Sequence, residues 1–408
     1  MPRFRRILKF TGLGLLGLIV LIELTPMGRY VTRAAWEEAN ILVRRRHIVR
    51  LLNDSTLSED VRAKLQLVTA ARQYAVTALG LDAALSFTTY SQLRRDTLVL
   101  VLSAARRDTL LAHTWWFPVV GRFPYKGFFD FAQARRVADD MRKAGYDTYL
   151  RPASAFSTLG WFNDPLVSTT LRQDSLSLAT TVIHELVHNT LFVKGQVAFN
   201  ESLASFIGAR GAADFFRSRG SARAAALVEQ EWADEKLLGT FWATTVHKID
   251  SVFALPGRDS LGRIAARDSV FARMREVLLR DLAPRMPTIS RAALERIQLD
   301  NAALLARRVY ASDLWLFDEV HRRLGGSLRQ TIERIRDAVE GAEDPFAALR
   351  LSVAGQVVPP NRPRMIARRS IPPFASGAGS GASGTLITTR SITSRTPRSM
   401  NRDSWSIE

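Results

Sequence analysis

The residues best suited to chemistry in this sequence are two histidines four positions apart, with a glutamate directly after the first. They form the segment His184-Glu185-Leu186-Val187-His188. On an α-helix, positions i and i+4 lie on one face a turn apart, so both imidazoles can reach one metal ion. Glu185 projects about 100° around the helix from His184. That direction makes it a poor ligand but suits a general base that takes a proton from the attacking water.

A third ligand is predicted from chain reach. The next acidic residue after Glu185 is Glu201, and a turn near Lys194–Gln196 would return a second helix against the first. Two histidines and one glutamate leave a fourth position open, which is typical of catalytic rather than structural zinc. The alternative for Glu201 is an ordinary acid favoured near a helix N-terminus by the helix dipole. We expect Zn²⁺ held by His184, His188 and Glu201.

The segment around the motif has the pattern of a buried helix. Asp174 or Ser175 can cap its start, and Gly195 can end it. The alternative is a surface helix with two incidental histidines. Apolar neighbours such as Ile183 favour burial instead, where an unpaired Glu185 would be costly.

The order of the remaining elements predicts the fold class. Helical patterning from Ala34 to about Leu79, with a break near Asn53, precedes β-rich stretches at Leu85–Tyr90, Thr97–Ser103 and Thr109–Trp116. An amphipathic helix over 131–143 and a strand over 147–151 follow, and the chain from 176 to about 351 is helical in pattern. We expect an α+β fold, predominantly α, with a small mixed β-sheet before the helical half that carries the metal helix.

Composition excludes several classes of site. The chain has no cysteine, which rules out disulfides, thiolate zinc fingers, iron–sulfur clusters and a lipid-modified cysteine anchor. The formal net charge of +18 is partly concentrated at the two ends of the chain. Because no basic face of domain size and no nucleic-acid-binding motif is apparent, no nucleic-acid partner is expected.

Both ends of the chain differ from the body. Residues 1–28 combine basic residues with an apolar run over 10–22, which predicts an uncleaved signal anchor in the inner membrane, with a cleaved signal peptide and secretion as the alternative. Either way the charge bias places the body, residues 29–355, on the periplasmic side. Residues 356–408 are rich in Pro, Gly, Ser and Arg and predict a disordered basic tail.

Three blocks of sequence in this order resemble bacterial predicted aminopeptidases of the gluzincin type, over roughly residues 30–350. The blocks are Pro118–Gly121 with Tyr125–Phe129, Ala155–Pro165, and the histidine motif followed by Phe199–Ser202. The resemblance implies a zincin-like peptidase domain, a peptide substrate and an exported zinc aminopeptidase that is commonly tethered to the membrane. Exopeptidase and endopeptidase activity, and a catalytically inactive peptide-binding scaffold, stay open as alternatives, as does the oligomeric state.

The resemblance also suggests substrate-binding residues. By analogy with other gluzincins, Trp161 and Phe162 would line a specificity pocket and Asp164 would hold the free amine of the substrate. Tyr125 is one candidate to stabilise the oxyanion, and Tyr310 and His247 are two more.

Three features of the chain depart from the family pattern. Phe156 stands where a tyrosine is expected, and Ser205 stands where many gluzincins place a carboxylate that orients a ligand histidine. The N-terminus has a hydrophobic segment in place of a lipoprotein cysteine, so any membrane tether must differ.

Overall fold

Side-chain caps mark the start of several helices. Thr25 accepts a hydrogen bond from the Gly28 amide at 2.9 Å, and Pro26 follows at the first helical position. Asp130 caps a later helix by accepting from the Gln133 amide. Each cap pairs amide groups that the first helical turn leaves without an intrahelical acceptor.

The computed structural model describes residues 24–93, 97, 99–117, 121–153, 165–308 and 313–354, which all belong to one compact unit. Most of this part of the chain is helical. The helices are α1 (Pro26–Val43), α2 (Ile48–Leu52), α3 (Glu59–Thr77), α4 (Phe131–Lys143), α5 (Ser168–Leu171), α6 (Ser175–Thr190), α7 (Val197–Ser218), α8 (Ala222–Phe253), α9 (Ser260–Glu276), α10 (Arg291–Glu295), α11 (Asn301–Arg308), α12 (Leu314–Arg323), α13 (Leu328–Val339) and α14 (Pro345–Val353).

Short strands form three small sheets within the described residues. The strands are β1 (Arg46–His47), β2 (Thr89–Ser91), β3 (Val99–Arg106), β4 (Trp115–Phe117), β5 (Gly121–Phe123), β6 (Tyr125–Phe128), β7 (Tyr146–Ala153) and β8 (Leu166–Val167). One sheet has the order β1-β2-β8 with mixed pairing, the second is antiparallel with the order β6-β3-β7, and β4 and β5 form a hairpin. The predicted α+β class, predominantly α, is confirmed.

The long helix α8 joins two hydrophobic cores. Its first half contributes Val228 and Trp232 to the core around α3, α6, α7 and α12–α14. Its second half contributes Phe241 and Ile249 to a core shared with α9. The metal motif lies on α6, within the first core, where close packing restricts backbone movement.

A buried ionic cluster ties α7, α8 and α12 together. The carboxylate of Asp318 on α12 accepts hydrogen bonds from Arg210 on α7 and from Lys236 and Trp232 on α8. Several donors around one carboxylate offset the cost of removing it from water. The cluster therefore fixes the position of α7, the helix that carries Glu201, relative to α8 and α12.

Three predicted boundaries are wrong, among them that of the strand Thr109–Trp116, which is reduced to Trp115–Phe117. The motif helix ends at Thr190 rather than at Gly195, because Leu191 adopts an extended backbone and the chain turns away before α7. The predicted strand Leu85–Tyr90 is reduced to Thr89–Ser91, since Ala84 and Phe87 have positive φ angles that interrupt an extended strand.

The predictions for the chain ends concern residues that the structure largely does not describe. Nearly all of 1–28 and all of 356–408 lie outside the described residues. Within the described ranges, no helix combines the length and apolar character needed to cross a membrane. The signal anchor and the basic tail therefore stay predictions.

Candidate metal centre

Helix α6 presents its two histidines on one side. Asp174 caps it by accepting from the Leu176 and Ser177 amides at 2.9 and 3.0 Å, so the predicted cap is confirmed. Most of its apolar residues, including Ile183 and Leu186, are fully buried. This burial fixes the rotation of the helix and leaves the rings of His184 and His188 adjacent, with centroids 5.0 Å apart.

The turn after α6 is held by one buried amide side chain. Asn200 accepts a hydrogen bond from the Val193 amide at 2.9 Å and donates one to the Val193 carbonyl at 2.8 Å. Its side chain is 1% exposed, so losing these bonds would leave polar groups unpaired away from water. Asn200 directly precedes Glu201 on α7. This pairing therefore also fixes the position of the glutamate relative to the turn.

Glu201 reaches both histidines, as the sequence predicts. Its carboxylate oxygens lie 3.5 Å from His184 Nε2 and 3.7 Å from His188 Nε2. One ligand atom from each of the three residues lies within 4.8 Å of the others, and the three side chains are about one-fifth exposed. Two imidazole nitrogens and a carboxylate so arranged fit a metal ion that solvent can still reach.

A close helix crossing makes this convergence possible. A Cβ atom added at Gly208 on α7 would lie 3.0 Å from the Thr180 carbonyl oxygen and 3.1 Å from His184 Cβ. One added at Gly211 would lie 3.1 Å from Ile183 Cγ2. The absence of side chains at both glycines lets the two backbones approach directly beside the first histidine.

The electrostatics of the site keep His188 and Glu201 in protonation states that can bind a cation. Burial, together with the nearby His184, lowers the pKa of His188 to about 4 against the opposing charge of Glu201. His188 is therefore neutral at pH 7, with a nitrogen lone pair available. Burial alone would raise the pKa of Glu201, but His184, His188 and Arg151 together lower it, so the carboxylate is ionised.

The second nitrogen of His188 has no hydrogen-bond partner among the described residues. This Nδ1 atom is buried, and metal-binding histidines usually donate from the nitrogen that does not bind the ion. Ser205, at the position where a carboxylate was expected, lies one helical turn after Glu201. Among the described residues no carboxylate partners this nitrogen, as the sequence predicts.

Strand β7 contributes Arg151, a residue near the site that the sequence reasoning missed. The Arg151 guanidinium acts electrostatically on Glu201, and Tyr149 lies two positions earlier on the same face of the strand. Arg307 on α11 donates a hydrogen bond to the Tyr149 hydroxyl at 3.2 Å and lies 5.0 Å from the centre of the Trp242 ring. The available signal was that polar side chains of β7, such as Tyr149 and Arg151, lie on one face of the strand. Only the tertiary structure brings Arg151 close enough to act on Glu201.

The structure describes the predicted general base but only part of the predicted substrate site. Glu185 lies on α6 next to His184 and is half-buried. Tyr125 lies on β6, at the sheet edge opposite β7, with its ring centre 5.7 Å from that of Phe123.

The other candidates for substrate contact divide into two groups. His247 is exposed on α8. Trp161, Phe162, Asp164 and Tyr310 lie outside the described residues. The substrate-binding assignments therefore stay predictions.

Comparison with known proteins supports the resemblance seen in the motif blocks. A family model described as "Putative aminopeptidase" matches residues 29–344. No match was found among the curated proteins or among the solved structures. The matched range contains α6, α7 and all three residues of the candidate metal centre. Since the match covers most of the chain, the protein belongs to this aminopeptidase family.

Proposed function

We propose that the protein is a zinc-dependent aminopeptidase. The observation that carries the proposal is the convergence of His184, His188 and Glu201, with Glu185 next to the first ligand on the same helix. A set of two histidines and one glutamate with solvent access is typical of hydrolytic zinc sites. Family membership supplies the peptide substrate.

The roles of the residues follow from this arrangement. A zinc ion, when bound, lowers the pKa of water and polarises the carbonyl that is attacked. Glu185 accepts the proton of the attacking water and passes it to the departing amine, so one carboxylate acts first as base and then as acid. His184, His188 and Glu201 hold the ion, and Asn200 keeps Glu201 in place.

We further propose that residues 1–28 hold the enzyme at the inner membrane, with the peptidase domain on the periplasmic side. The basic residues Arg3, Arg5, Arg6 and Lys9 precede the apolar run, which favours retention of the N-terminus in the cytoplasm. Secretion after signal cleavage is the alternative, and it is distinguished by the mass of the N-terminal peptide of the exported protein.

The decisive experiment measures bound zinc and the hydrolysis of aminoacyl substrates, for the full chain and for its Glu185→Gln variant. We expect one zinc in both proteins, and a fall in kcat of roughly 10²- to 10⁴-fold in the variant, the range attributed to a general base. The exposed Glu333→Gln change serves as the control and should alter neither value.

Two further outcomes separate the alternatives. Zinc binding without hydrolysis of any aminoacyl or blocked peptide would favour the inactive peptide-binding scaffold. Cleavage of N-acetylated peptides as fast as free ones would make the enzyme an endopeptidase. A parent chain that holds no zinc after reconstitution would overturn the proposal.

A further inference from the structure

A recess that contains none of the metal-centre residues lies between α1 and the segment that joins β6 to α4. Its volume is about 980 Å³. The α1 helix is seated there by Ile41, which belongs to the same small core as Val99, Val101 and Phe129. The recess is therefore formed by packed elements and not by a loop alone.

The charge of the recess is strongly unbalanced. Its lining includes four cationic side chains, Arg29, Arg33, Lys126 and Arg136, and the single carboxylate Asp130. Asp130 already caps α4 through the Gln133 amide, and Arg33 is paired with Glu37 outside the lining at 2.7 Å. Net positive charge remains in the recess and would attract an anion.

Lys126 is a cation of the recess that has no carboxylate partner among the described residues. It is half-buried, and its ammonium makes no hydrogen bond or salt bridge with any described residue. Its ammonium lies 4.8 Å from the centre of the Tyr30 ring and 5.3 Å from that of Phe128. Burial lowers the pKa of Lys126, which is the expected response of an ammonium removed from water without a counter-ion.

Aromatic side chains at the rim indicate the kind of anion. Trp36 and Tyr30 both line the recess, and Trp36 is 64% exposed. Exposed tryptophan and tyrosine beside arginine and lysine are typical of a protein surface that meets lipid headgroups. The apolar run over 10–22 ends only seven residues before Arg29, which favours a lipid over a soluble anion.

We propose that this recess binds the phosphate headgroup of an anionic lipid, with Lys126 and Arg136 as its principal ligands and Trp36 at the level of the headgroups. The inference is independent of the metal centre. It gives the body of the protein a second contact with the membrane surface and sets how that body is oriented there.

The test uses the full chain in neutral-detergent micelles. Native mass spectrometry compares retention of phosphatidylglycerol with that of phosphatidylcholine of the same acyl chains. We expect preferential retention of phosphatidylglycerol, reduced roughly fivefold by Lys126→Gln and again by Arg136→Gln, the effect of one basic residue near an anionic surface. Arg135→Gln, an exposed neighbour outside the recess, is the charge-matched control and should retain the preference.

Each contrary outcome overturns the proposal. Equal retention of both lipids, or an equal loss in the Arg135→Gln control, would mean that no specific site exists. Inorganic phosphate that binds and removes the preference by itself would make the recess a site for free anions. Circular-dichroism melting of each variant checks that a loss of lipid is not a loss of fold.

Discussion

Glu201 supplies the only carboxylate in the three-residue metal group. Its ionised state is maintained against burial by His184, His188 and the more distant Arg151. Histidine brings no negative charge to a metal site, so the negative charge that attracts a cation comes from this side chain. At the residue scale, the carboxylate is therefore the ligand whose charge can be removed with the least change in shape.

The first prediction follows from that charge. Glu201→Gln keeps the size of the side chain but replaces an anionic oxygen with a neutral amide. We expect zinc affinity to fall by at least about 100-fold, because loss of an outer partner alone costs about 10- to 100-fold. Competition with a chromophoric chelator measures it, and Glu185→Gln is the matched control that should bind zinc normally. Equal affinity in both variants would show that Glu201 is not a ligand.

A second residue-scale prediction concerns Glu235 on α8. This side chain is exposed, yet desolvation by the neighbouring protein raises the pKa of its carboxyl against the opposing charge of Arg307. A carboxyl whose folded pKa is raised binds its proton more tightly in the folded state. Its ionised form therefore costs stability above the folded pKa, and the cost disappears as pH falls through that value.

Glu235→Gln should therefore be more stable than the parent chain at pH above neutrality, and the difference should shrink as pH falls toward the ordinary carboxyl range near 4. Urea midpoints at several pH values measure this difference. The exposed Glu333→Gln variant should show no such trend. A gain in stability that grew on acidification would contradict the predicted sign.

At the scale of elements, the crossing of α6 and α7 decides whether the ligands meet. Gly208 permits the approach beside His184, while Asn200 fixes the turn that precedes α7. Backbone and buried side chains surround the crossing, so an added methyl group has no flexible neighbour to displace.

We expect Gly208→Ala to force the two helices apart by a few tenths of an ångström. Overpacking of this kind costs about 1–3 kcal/mol of unfolding free energy, and zinc binding should weaken because Glu201 moves with α7. Chemical denaturation and metal titration measure the two effects. Gly262→Ala on α9 is the matched control, since its new methyl group would meet only side-chain atoms of Asp259 and Arg258. Equal behaviour of both variants would exclude tight packing at the crossing.

At the scale of the whole molecule, metal binding and folding should be coupled. All three candidate ligands lie on α6 and α7, whose apolar faces belong to the largest core within the described residues. An ion that binds only the folded chain stabilises it by mass action, by about 2.7 kcal/mol at 100 times the dissociation constant.

Removing zinc with a chelator should therefore lower the melting temperature by several degrees. His188→Ala should melt at the same temperature with and without chelator, because it has no complete site. Differential scanning calorimetry of both proteins provides the comparison. A chelator effect of the same size in the variant would place the stabilising ion elsewhere.

The sequence by itself determined the candidate metal group and most of the helical framework. A spacing of four residues on a helix defines one face whatever the surrounding fold, so His184 and His188 could be assigned with Glu185 between them. Asp174 was predictable as a cap because a cap is a local interaction. Glu201 was predictable because the short connection after α6 limits where the chain can return.

Only the tertiary structure decided the contacts between elements distant in sequence. Arg151 on β7 acts on Glu201 from 50 residues earlier in the chain, and no local pattern encodes that distance. The early end of α6 at Thr190 comes with an extended backbone at Leu191 and not with a helix-ending glycine, and Asn200 pairs with Val193 in the turn that follows. The cationic recess exists because α1 packs beside β6 and α4. These features depend on packing between faces, whereas the metal motif depends on the geometry of one helix.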